Sequence, residues 1–387
     1  MDLTDRPTIV DLFCGAGGLS EGFRQAGFKT LLGVDYDPIA LKTYQKYHNK
    51  AILMRIEELT ADRIIKEIGS RKITVLAAGP PCQAFSKVAV AKLRSLKRSA
   101  NIHNPLDVLY KEFMRLVKVL KPQFFVMENV GRMFSVDDHR IKKEIVTELQ
   151  NYNMTFYYEN VADFGVPQIR KRGIVIGNTF DFSEPIMKRT HYDPVNEELH
   201  DEKKPYETVR SAISDLPKIK AGGGKEIMRY RGNNLSPYAQ ERRISSDQLI
   251  YNHIARMHSD DDLKIFKMLK QGQWLKDLPE RYNRYRKDIF LDKYKKQSWD
   301  KPSSTILAHL SKDGLMFIHP DGNQNRSFTP REAARLQSFD DMYIFEGPKT
   351  KQYTQIGNAV PPIFAKAIAT AILESINKKI VLVIPQK

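Results

Sequence analysis

Cysteines and long apolar runs are both scarce in this sequence. Its 387 residues include two cysteines, Cys14 and Cys82, which provide no disulfide framework, and a reducing compartment would keep a thiol free for chemistry. No apolar stretch approaches the roughly 20 residues that cross a bilayer, and residues 1–7 are charged with no apolar signal core after them. We therefore expect a cytoplasmic protein with no membrane partner.

Metal-ligand spacing is missing as well. Neither cysteine has another cysteine at a ligand spacing, and the closest-spaced histidines, His253 and His258, are five residues apart with an arginine and a methionine between them. Such a pair is more typical of surface or core histidines than of a metal site. We predict no metal.

Acidic residues are outnumbered by basic ones. There are 62 Lys and Arg against 46 Asp and Glu, a formal net charge of +16, which favours a polyanionic partner with nucleic acid as the leading candidate. Charge alone leaves this open, because many basic proteins bind no nucleic acid. A hydrophobic content of 41% is sufficient for a substantial core in two domains, or in one large domain with an insertion.

The most informative stretch is Pro-Pro-Cys-Gln at 80–83, which follows the apolar run 73–78. Such a run is typical of a central parallel strand, and ligands of parallel α/β sheets lie beyond the carboxyl ends of the strands. The prolines fix the main chain that holds Cys82. Taken alone, Cys82 could equally be a buried structural cysteine.

A glycine turn opens the chain. Residues 8–13 read as a strand, 14–20 as a turn with three glycines, and 21–27 as a helix, which is typical of nucleotide-binding folds. The Gly-x-Gly-Gly spacing matches neither the dinucleotide fingerprint nor a phosphate loop. The turn alone is therefore weak evidence.

The next strand, 30–34, ends at Asp35 and Tyr36. An acid at this position can accept hydrogen bonds from ribose hydroxyls, and the ring of Tyr36 could lie along an adenine. The alternative for Asp35 is a helix cap before Pro38. Together with the glycine turn, these residues indicate an adenosyl ligand without a pyrophosphate.

Two further polar groups follow predicted strands. The strand 124–127 ends at the Glu-Asn pair 128–129, and Gln-Ile-Arg-Lys-Arg at 168–172 leads into another strand. Alternation along an extended backbone sends Gln168, Arg170 and Arg172 to one face. A solvated basic edge strand is the alternative.

These segments, in this order and spacing, resemble the DNA cytosine-5 methyltransferases. The matching segments are Asp-Leu-Phe-Cys-Gly-Ala-Gly-Gly at 11–18, Pro-Pro-Cys-Gln at 80–83, Glu-Asn-Val at 128–130, Gln-x-Arg-x-Arg at 168–172, the segment before the target recognition region at 208–217, the ninth motif at 331–339 and the tenth motif at 355–362. The resemblance covers practically the whole chain. It implies an α/β fold with an S-adenosylmethionine-dependent methyltransferase (Rossmann-like) sheet, helices on both of its faces, and a smaller irregular target recognition domain. The predicted boundaries are 1–180 for the first part of the catalytic domain, 181–325 for target recognition and 326–387 for the return to the catalytic domain.

The resemblance implies transfer of a methyl group from S-adenosylmethionine to C5 of a flipped-out cytosine in a specific double-stranded DNA sequence, through a covalent bond between Cys82 and C6. In that scheme Glu128 holds a proton at cytosine N3 and Arg172 bonds O2. Arg170 orients Glu128, and Asn129 stabilises the loop geometry.

The resemblance also implies the cofactor site, with S-adenosylhomocysteine as the product. Its predicted residues are Phe13, Gly15, Ala16, Gly17, Gly18, Leu19, Asp35, Tyr36, Ile56, Pro81, Leu109, Asn358, Ala359 and Val360. The helix 362–376 is expected to pack beside the helix that follows the glycine turn. One departure concerns the third motif, which usually reads Gly-Asp-Ile and here reads Met-Arg-Ile at 54–56. Arg55 cannot accept the hydrogen bond of the adenine amine, so either Glu57, another acid or a backbone carbonyl replaces the aspartate, or cofactor binding is weaker than usual.

The substrate implied is double-stranded DNA, bound by a monomer that is associated with the nucleoid. The cytosine must be rotated out of the helix at a cost of a few kcal/mol. Residues 84–102 carry five cations and no acid, and we interpret them as a mobile loop that closes on phosphates. An amphipathic surface helix is the alternative. The predicted DNA contacts are Gln83, Ser86, Lys87, Lys92, Arg94, Lys97, Arg98 and Gln168.

Other functions are less consistent with these residues. A dehydrogenase needs neither Cys82 nor Glu128 with Arg172. A tRNA cytosine methyltransferase of the same fold usually has Phe-Thr where this chain has Phe-Ser at 85–86, and a non-catalytic DNA-binding regulator would not need to retain the nucleophile. A cognate restriction endonuclease stays open as a partner, with no direct contact implied.

Overall fold

The protein is described by a computed structural model over residues 6–70, 72–81, 109–135, 139–195, 202–230, 235–243, 248–282 and 293–383. Its strands are β1 (Thr8–Leu12), β2 (Lys29–Asp35), β3 (Ala51–Leu53), β4 (Val75–Ala78), β5 (Phe124–Asn129), β6 (Asn153–Asn160), β7 (Gln168–Ile169), β8 (Lys171–Asn178), β9 (His191–Tyr192), β10 (Lys204–Pro205), β11 (Gly224–Arg229), β12 (Leu249–Ile254) and β13 (Ser303–Ser304). The helices of the described residues are α1 (Gly18–Gln25), α2 (Pro38–Tyr47), α3 (Ala61–Ile68), α4 (Leu109–Leu120), α5 (Arg140–Glu148), α6 (Val209–Ile213), α7 (Pro237–Arg242), α8 (Asp260–Met268), α9 (Pro330–Leu336), α10 (Lys349–Asn358) and α11 (Pro362–Val383).

The central sheet has seven strands in the order β3-β2-β1-β4-β5-β8-β6. The first five are parallel, whereas β8 is antiparallel to both β5 and β6. Every residue of β4 and β5 is buried, as expected for central strands whose two faces are covered. The predicted α/β class and the predicted central strand before Cys82 are therefore confirmed.

The chain divides into two compact units. Unit 1 comprises Met1–Asn160, Lys171–Lys188 and Pro362–Lys387, and unit 2 comprises Val161–Arg170 and Arg189–Pro361. These limits differ from the predicted boundaries at 180 and 325, because residues 326–361 lie in unit 2.

The ninth-motif helix α9 shows why this segment lies in unit 2. The guanidinium of Arg335 is fully buried and forms ion pairs with Asp215 at 3.1 Å and Asp341 at 2.6 Å. All three residues lie in unit 2. Truncating a buried ion pair leaves an uncompensated charge, so α9 is an integral part of this unit.

The described residues of unit 2 form only short strand pairs. Of these, β11 and β12 are antiparallel, while β9 with β10 and β7 with β13 form two parallel pairs. A separate apolar cluster consists of Ile265, Phe266, Leu269, Leu275, Tyr294, Leu315 and Ile318. Unit 2 thus has a core but little regular sheet.

In unit 1, α11 packs against α1 through a glycine. A Cβ atom added at Gly22 would lie 2.4 Å from the Cβ of Ala365 and 2.5 Å from the backbone nitrogen of Lys366. Only a residue without a side chain permits this approach. The predicted contact between the two helices is confirmed.

One segment of this region bears on the expectation that no apolar stretch crosses a membrane. Within Lys349–Lys378, an 18-residue window has a mean hydropathy of 1.5, which is enough for a membrane span by length and composition only. However, 61% of that window is buried inside the protein, which is the behaviour of a core helix.

Candidate active site

The glycine turn follows β1 and begins α1. Phe13, Gly15 and Gly17 all have positive φ angles, of 59°, 52° and 92°, and the turn is closed by hydrogen bonds from Cys14 N to Val34 O at 3.0 Å and from Gly17 N to Cys14 O at 2.8 Å. A Cβ atom added at Gly15 would meet nothing within 4 Å. The turn therefore has open space above it in which a ligand can approach the backbone.

Asp35 supports this turn from the end of β2. Its carboxylate accepts hydrogen bonds from Gly15 N at 2.8 Å and from Asp37 N at 2.9 Å, and burial raises its pKa. Asp37, not Asp35, caps α2 by accepting from Ile39 N at 2.9 Å. The helix-cap alternative for Asp35 is thus excluded. The adjacent Tyr36 is 60% exposed, so a face of its ring is open to a ligand.

A buried acid and an arginine meet at the end of β5. Arg172 Nε lies 2.8 Å from Glu128 Oε1, and the two side chains are 11% and 9% exposed. The antiparallel register, with Glu128 opposite Ile174, places both residues at the same edge of the sheet. Among the described residues, Glu128 Oε1 accepts no hydrogen bond, so the contact with Arg172 is a buried ion pair held by charge rather than by an aligned hydrogen bond.

Asn129 joins this strand end to the proline turn. Its Nδ2 donates to Pro80 O at 3.0 Å, and its Oδ1 accepts from Val130 N at 2.8 Å. Because Pro80 precedes the half-buried Pro81, which is followed by Cys82, the amide fixes the main chain that leads to the thiol. Cys82 itself lies outside the described residues.

Arg170 has hydrogen-bond partners in unit 2. Its Nη1 donates to Ile306 O at 2.8 Å and its Nη2 donates to Ala359 O at 3.1 Å, all within unit 2. The arginine that contacts Glu128 is Arg172. The guanidinium of Arg170 is thus bound by backbone carbonyls of its own unit, and the role of Arg170 in orienting Glu128 stays a prediction.

Gln168 was predicted to contact DNA, and this prediction is wrong. The residue is fully buried. Its Nε2 donates to Leu336 O at 2.8 Å and to Gln337 Oε1 at 2.6 Å, while its Oε1 accepts from Ile306 N at 3.0 Å. The alternation was correct, because the neighbouring Ile169 is 38% exposed, but the face on which Gln168 lies is covered by protein.

The third-motif segment places Arg55 at the surface. Ile56 is 5% exposed and belongs to the same apolar cluster as Leu109, against which Phe13 also packs. Arg55 Nη2 lies 3.4 Å from Glu57 Oε1, and both side chains are largely exposed. Arg55 and Glu57 thus form a solvated ion pair beside the predicted cofactor residues.

The remaining predicted residues fall in three groups. Gly18, Leu19 and Ala16 are buried in the glycine turn and the start of α1. Asn358 ends α10 and is exposed, whereas Ala359 and Val360 are buried, all three in unit 2. The predicted site residues that lie outside the described residues are Cys82, Gln83, Ser86, Lys87, Lys92, Arg94, Lys97 and Arg98. Among the residues that are described, no group of three or more His, Cys, Asp and Glu could hold a metal ion.

One polar cluster beneath the glycine turn is not predicted from the sequence. Asp11 is 1% exposed, and Ser20 Oγ donates to Asp11 Oδ2 at 2.6 Å and lies 3.0 Å from Tyr44 Oη. Burial raises the pKa of Asp11 to about 7. The available signal was an aspartate in the middle of the apolar strand Thr-Ile-Val-Asp-Leu.

The glycine turn follows β1, the proline turn follows β4, and Glu128 lies at the end of β5. These three strands are neighbours whose carboxyl ends share one edge of the sheet. This fold and these strand ends define an α/β enzyme of the methyltransferase class. Residues 7–374 match the family model of the C-5 cytosine-specific DNA methylases, and the chain belongs to that family. The predicted enzyme class, DNA (cytosine-5-)-methyltransferase, is thereby confirmed.

Named relatives of restriction-modification type are similar over nearly the whole chain. The type II methyltransferase M1.HphI of Haemophilus parahaemolyticus is 36% identical over 95% of this chain and 87% of its own length. M.DdeI of Desulfomicrobium norvegicum is 34% identical over 95% of this chain and 90% of its own length.

Solved structures share the fold. A protein described as a DNA modification methyltransferase encoded within an E. coli prophage matches with a TM-score of 0.73 and 24% identity, covering 96% of this chain and 99% of that one. The Dnmt2 methyltransferase of S. pombe matches with a TM-score of 0.58 and 16% identity over 96% of this chain and all of its own. At these identities the similarity concerns the fold alone.

Proposed function

We propose that the protein transfers a methyl group from S-adenosylmethionine to C5 of a cytosine flipped out of a specific double-stranded DNA sequence, through a covalent bond between Cys82 Sγ and C6. The observation that carries this proposal is the buried pair of Glu128 and Arg172, tied by Asn129 to the turn before Cys82. An acid and a guanidinium at this position can manage the charge that develops on a pyrimidine ring.

The chemistry explains why a nucleophile is needed. C5 of cytosine is a poor nucleophile, and addition of the Cys82 thiolate to C6 converts the ring into an enamine whose C5 can attack a methyl group. A proton held by Glu128 is shared with N3 as the S–C6 bond forms. After methylation a base removes the C5 proton, the S–C6 bond breaks, and the thiolate is released.

Arg172 has two roles in this scheme. One part of its guanidinium holds Glu128, and its remaining N–H groups can donate to cytosine O2, where negative charge increases during thiolate addition. Since both side chains are almost buried, these contacts act in a medium of low dielectric constant, in which they are stronger than in water.

The glycine turn fits the methyl donor. Gly15 leaves open space, Asp35 is held at the end of β2, and Tyr36 offers an exposed ring. In the proposed site the backbone at 15–19 approaches the methionine moiety, while Asp35 and Tyr36 hold ribose and adenine. When bound, the cofactor supplies an electrophilic methyl group on sulfur.

The DNA contacts are assigned to the cationic side chains of the segment 84–102, which can neutralise the phosphates that flank the extruded base. Specific sequence reading is assigned to residues within 181–325. We further propose that the protein acts as a monomer on nucleoid DNA in the cytoplasm, with a cognate restriction endonuclease as a separate protein.

Expression in a methylation-free bacterial host, followed by bisulfite sequencing of its genome, tests this proposal. We expect 5-methylcytosine at one short sequence in cells that express the wild-type protein. Cells with Cys82→Ala should show none, and cells with Glu148→Gln, an exposed residue at the end of α5 that belongs to none of the motifs, should match the wild type. Methylation of tRNA but not of genomic DNA would overturn the assignment of the substrate.

A further inference from the structure

We propose that the carboxylate of Asp11 makes the cofactor site selective for the positively charged sulfonium form of the ligand over the neutral thioether product. This inference rests on the proposed function, because it concerns the ligand of the same glycine turn. It adds a role for a residue that the reaction scheme does not use.

The position of Asp11 is fixed by the helix that follows the turn. Gly17, the N-cap of α1, has no side chain to cap the helix. The carboxylate of Asp11 approaches this helix start from β1 and accepts from Ser20 Oγ at 2.6 Å. Asp11 is thus held directly beneath the turn, and Tyr44 Oη, 3.0 Å from Ser20 Oγ, extends the cluster.

The charges around Asp11 are unbalanced. Within the described part of the chain neither Asp11 nor Asp35 forms an ion pair with a lysine or arginine. Asp11 is 1% exposed, Asp35 is half-buried, and the negative charge of Asp35 adds to the burial that raises the pKa of Asp11. An uncompensated buried anion is costly. A ligand cation in the open space above the turn would compensate it.

Other titratable groups on the neighbouring elements do not reproduce this effect. On α1, Glu21 is paired with Arg24 at 2.7 Å; β4 has no ionisable side chain. Burial raises the pKa of the Cys14 thiol well above its usual range, and burial lowers the pKa of His48, which follows α2, to about 4. Asp35 carries a raised pKa but also accepts two backbone N–H groups, which favour its ionised form.

Asp11 can therefore respond to the ligand near neutral pH. Burial raises its pKa to about 7, so the carboxyl is protonated below that pH and ionised above it. A cation in the turn favours the ionised form of Asp11 and therefore lowers this pKa. For two unit charges separated by the thickness of a loop, at an effective dielectric constant of about 20, the pKa falls by about one unit. Binding of a cationic ligand then releases a proton, and its affinity must rise with pH.

Calorimetric titration of the purified full-length protein with S-adenosylmethionine and, separately, with S-adenosylhomocysteine at pH 6, 7 and 8 tests this inference. The two ligands differ only in the methyl group and charge at sulfur, so titrating groups that do not sense this charge affect them equally, and the comparison with Asp11→Asn isolates the contribution of Asp11. We expect the ratio of the two affinities to increase about fivefold from pH 6 to pH 8 in favour of the sulfonium, following the one-unit shift. In Asp11→Asn, which keeps the shape and an acceptor for Ser20, this ratio should not change with pH.

A second variant keeps the test valid if Asp11→Asn does not fold. Ser20→Ala leaves the carboxylate but removes a hydrogen bond that favours its ionised form, so the midpoint of the pH dependence should move to higher pH. Equal pH dependence for both ligands in the wild type, or an unchanged midpoint in Ser20→Ala, would overturn the inference. Failure of both ligands to bind at any pH would instead contradict the proposed function.

Discussion

At the scale of single residues, the proposed function depends on a small number of side chains whose contacts at the edge of the sheet are defined. Glu128 and Arg172 are paired at 2.8 Å, and Asn129 bonds Pro80 at 3.0 Å. The sequence was sufficient to predict Glu128 and Arg172 as site residues at the end and the start of two strands, but not the ion pair between them. It was not sufficient for Arg170 and Gln168, because alternation gives the face of a strand and not what covers that face.

Replacement of Glu128 by Gln should reduce the methylation rate by roughly a hundredfold to ten-thousandfold, since an amide cannot supply the proton that N3 needs. Single-turnover methylation of a duplex with the cognate sequence measures this rate. DNA affinity should change by only a few fold. A rate within a factor of three of the wild type would remove Glu128 from the mechanism.

Replacement of Arg55 by Asp should tighten binding of S-adenosylmethionine about three- to tenfold, the effect of one added hydrogen bond. Arg55 lies next to the buried Ile56 and is paired only with Glu57, at 3.4 Å, so an acid at this position restores an acceptor near the predicted adenine. Calorimetry of Arg55→Asp against Arg55→Ala separates the new acceptor from loss of the ion pair. Equal or weaker affinity in Arg55→Asp than in the wild type would refute this prediction.

At the scale of secondary-structure elements, the contacts between strands and helices fix the turn that is proposed to hold the cofactor. The sequence predicted β1, the turn, α1 and the packing of α11 on α1, because the glycines and the apolar periods are local signals. The hydrogen bond from Ser20 Oγ of α1 to Asp11 of β1 could not be predicted, since it depends on how a strand side chain meets a helix.

Gly22→Ala should destabilise the protein by about 1–3 kcal/mol, the usual cost of overpacking. Its added Cβ would lie 2.4 Å from Ala365 Cβ and 2.5 Å from a backbone atom of α11. Urea unfolding measures the loss. Gly131→Ala is the matched control, because its Cβ would be no closer than 3.4 Å to the ring of Tyr158 and should change the free energy of unfolding much less.

At the scale of the whole molecule, the net charge of +16 favours binding to DNA. The chain also divides into two units, to which the proposed catalysis and sequence reading are assigned. The sequence indicates a second, irregular region, but composition alone does not give the limits of unit 2. The ninth-motif helix α9 contains buried arginines whose acidic partners, such as Asp215, lie far away in the sequence, and such pairing is visible only once the chain is folded.

Charge reversal of Arg94 and Lys97 should reduce the salt dependence of DNA binding. If each residue contacts one phosphate, the slope of log K against log salt should fall in magnitude by about two. Fluorescence anisotropy with a labelled duplex at several salt concentrations measures the slope. Reversal of Lys42 and Lys66, which are exposed on α2 and α3, provides a control of equal charge change. An identical slope in the Arg94 and Lys97 variant and the wild type would count against the proposal that these two residues contact phosphates.

The most direct measurement of the central claim is covalent trapping. In cytosine a base removes the proton from C5 after methyl transfer, but the fluorine of 5-fluorocytosine cannot be removed in this way. With a duplex that contains 5-fluorocytosine at the target position, the reaction with S-adenosylmethionine should therefore stop with the protein bonded to DNA. Mass spectrometry of the digested complex should find the nucleotide on the peptide that contains Cys82, and Cys82→Ala should give no adduct. A folded wild-type protein that binds both DNA and cofactor but forms no adduct at Cys82 would contradict the account.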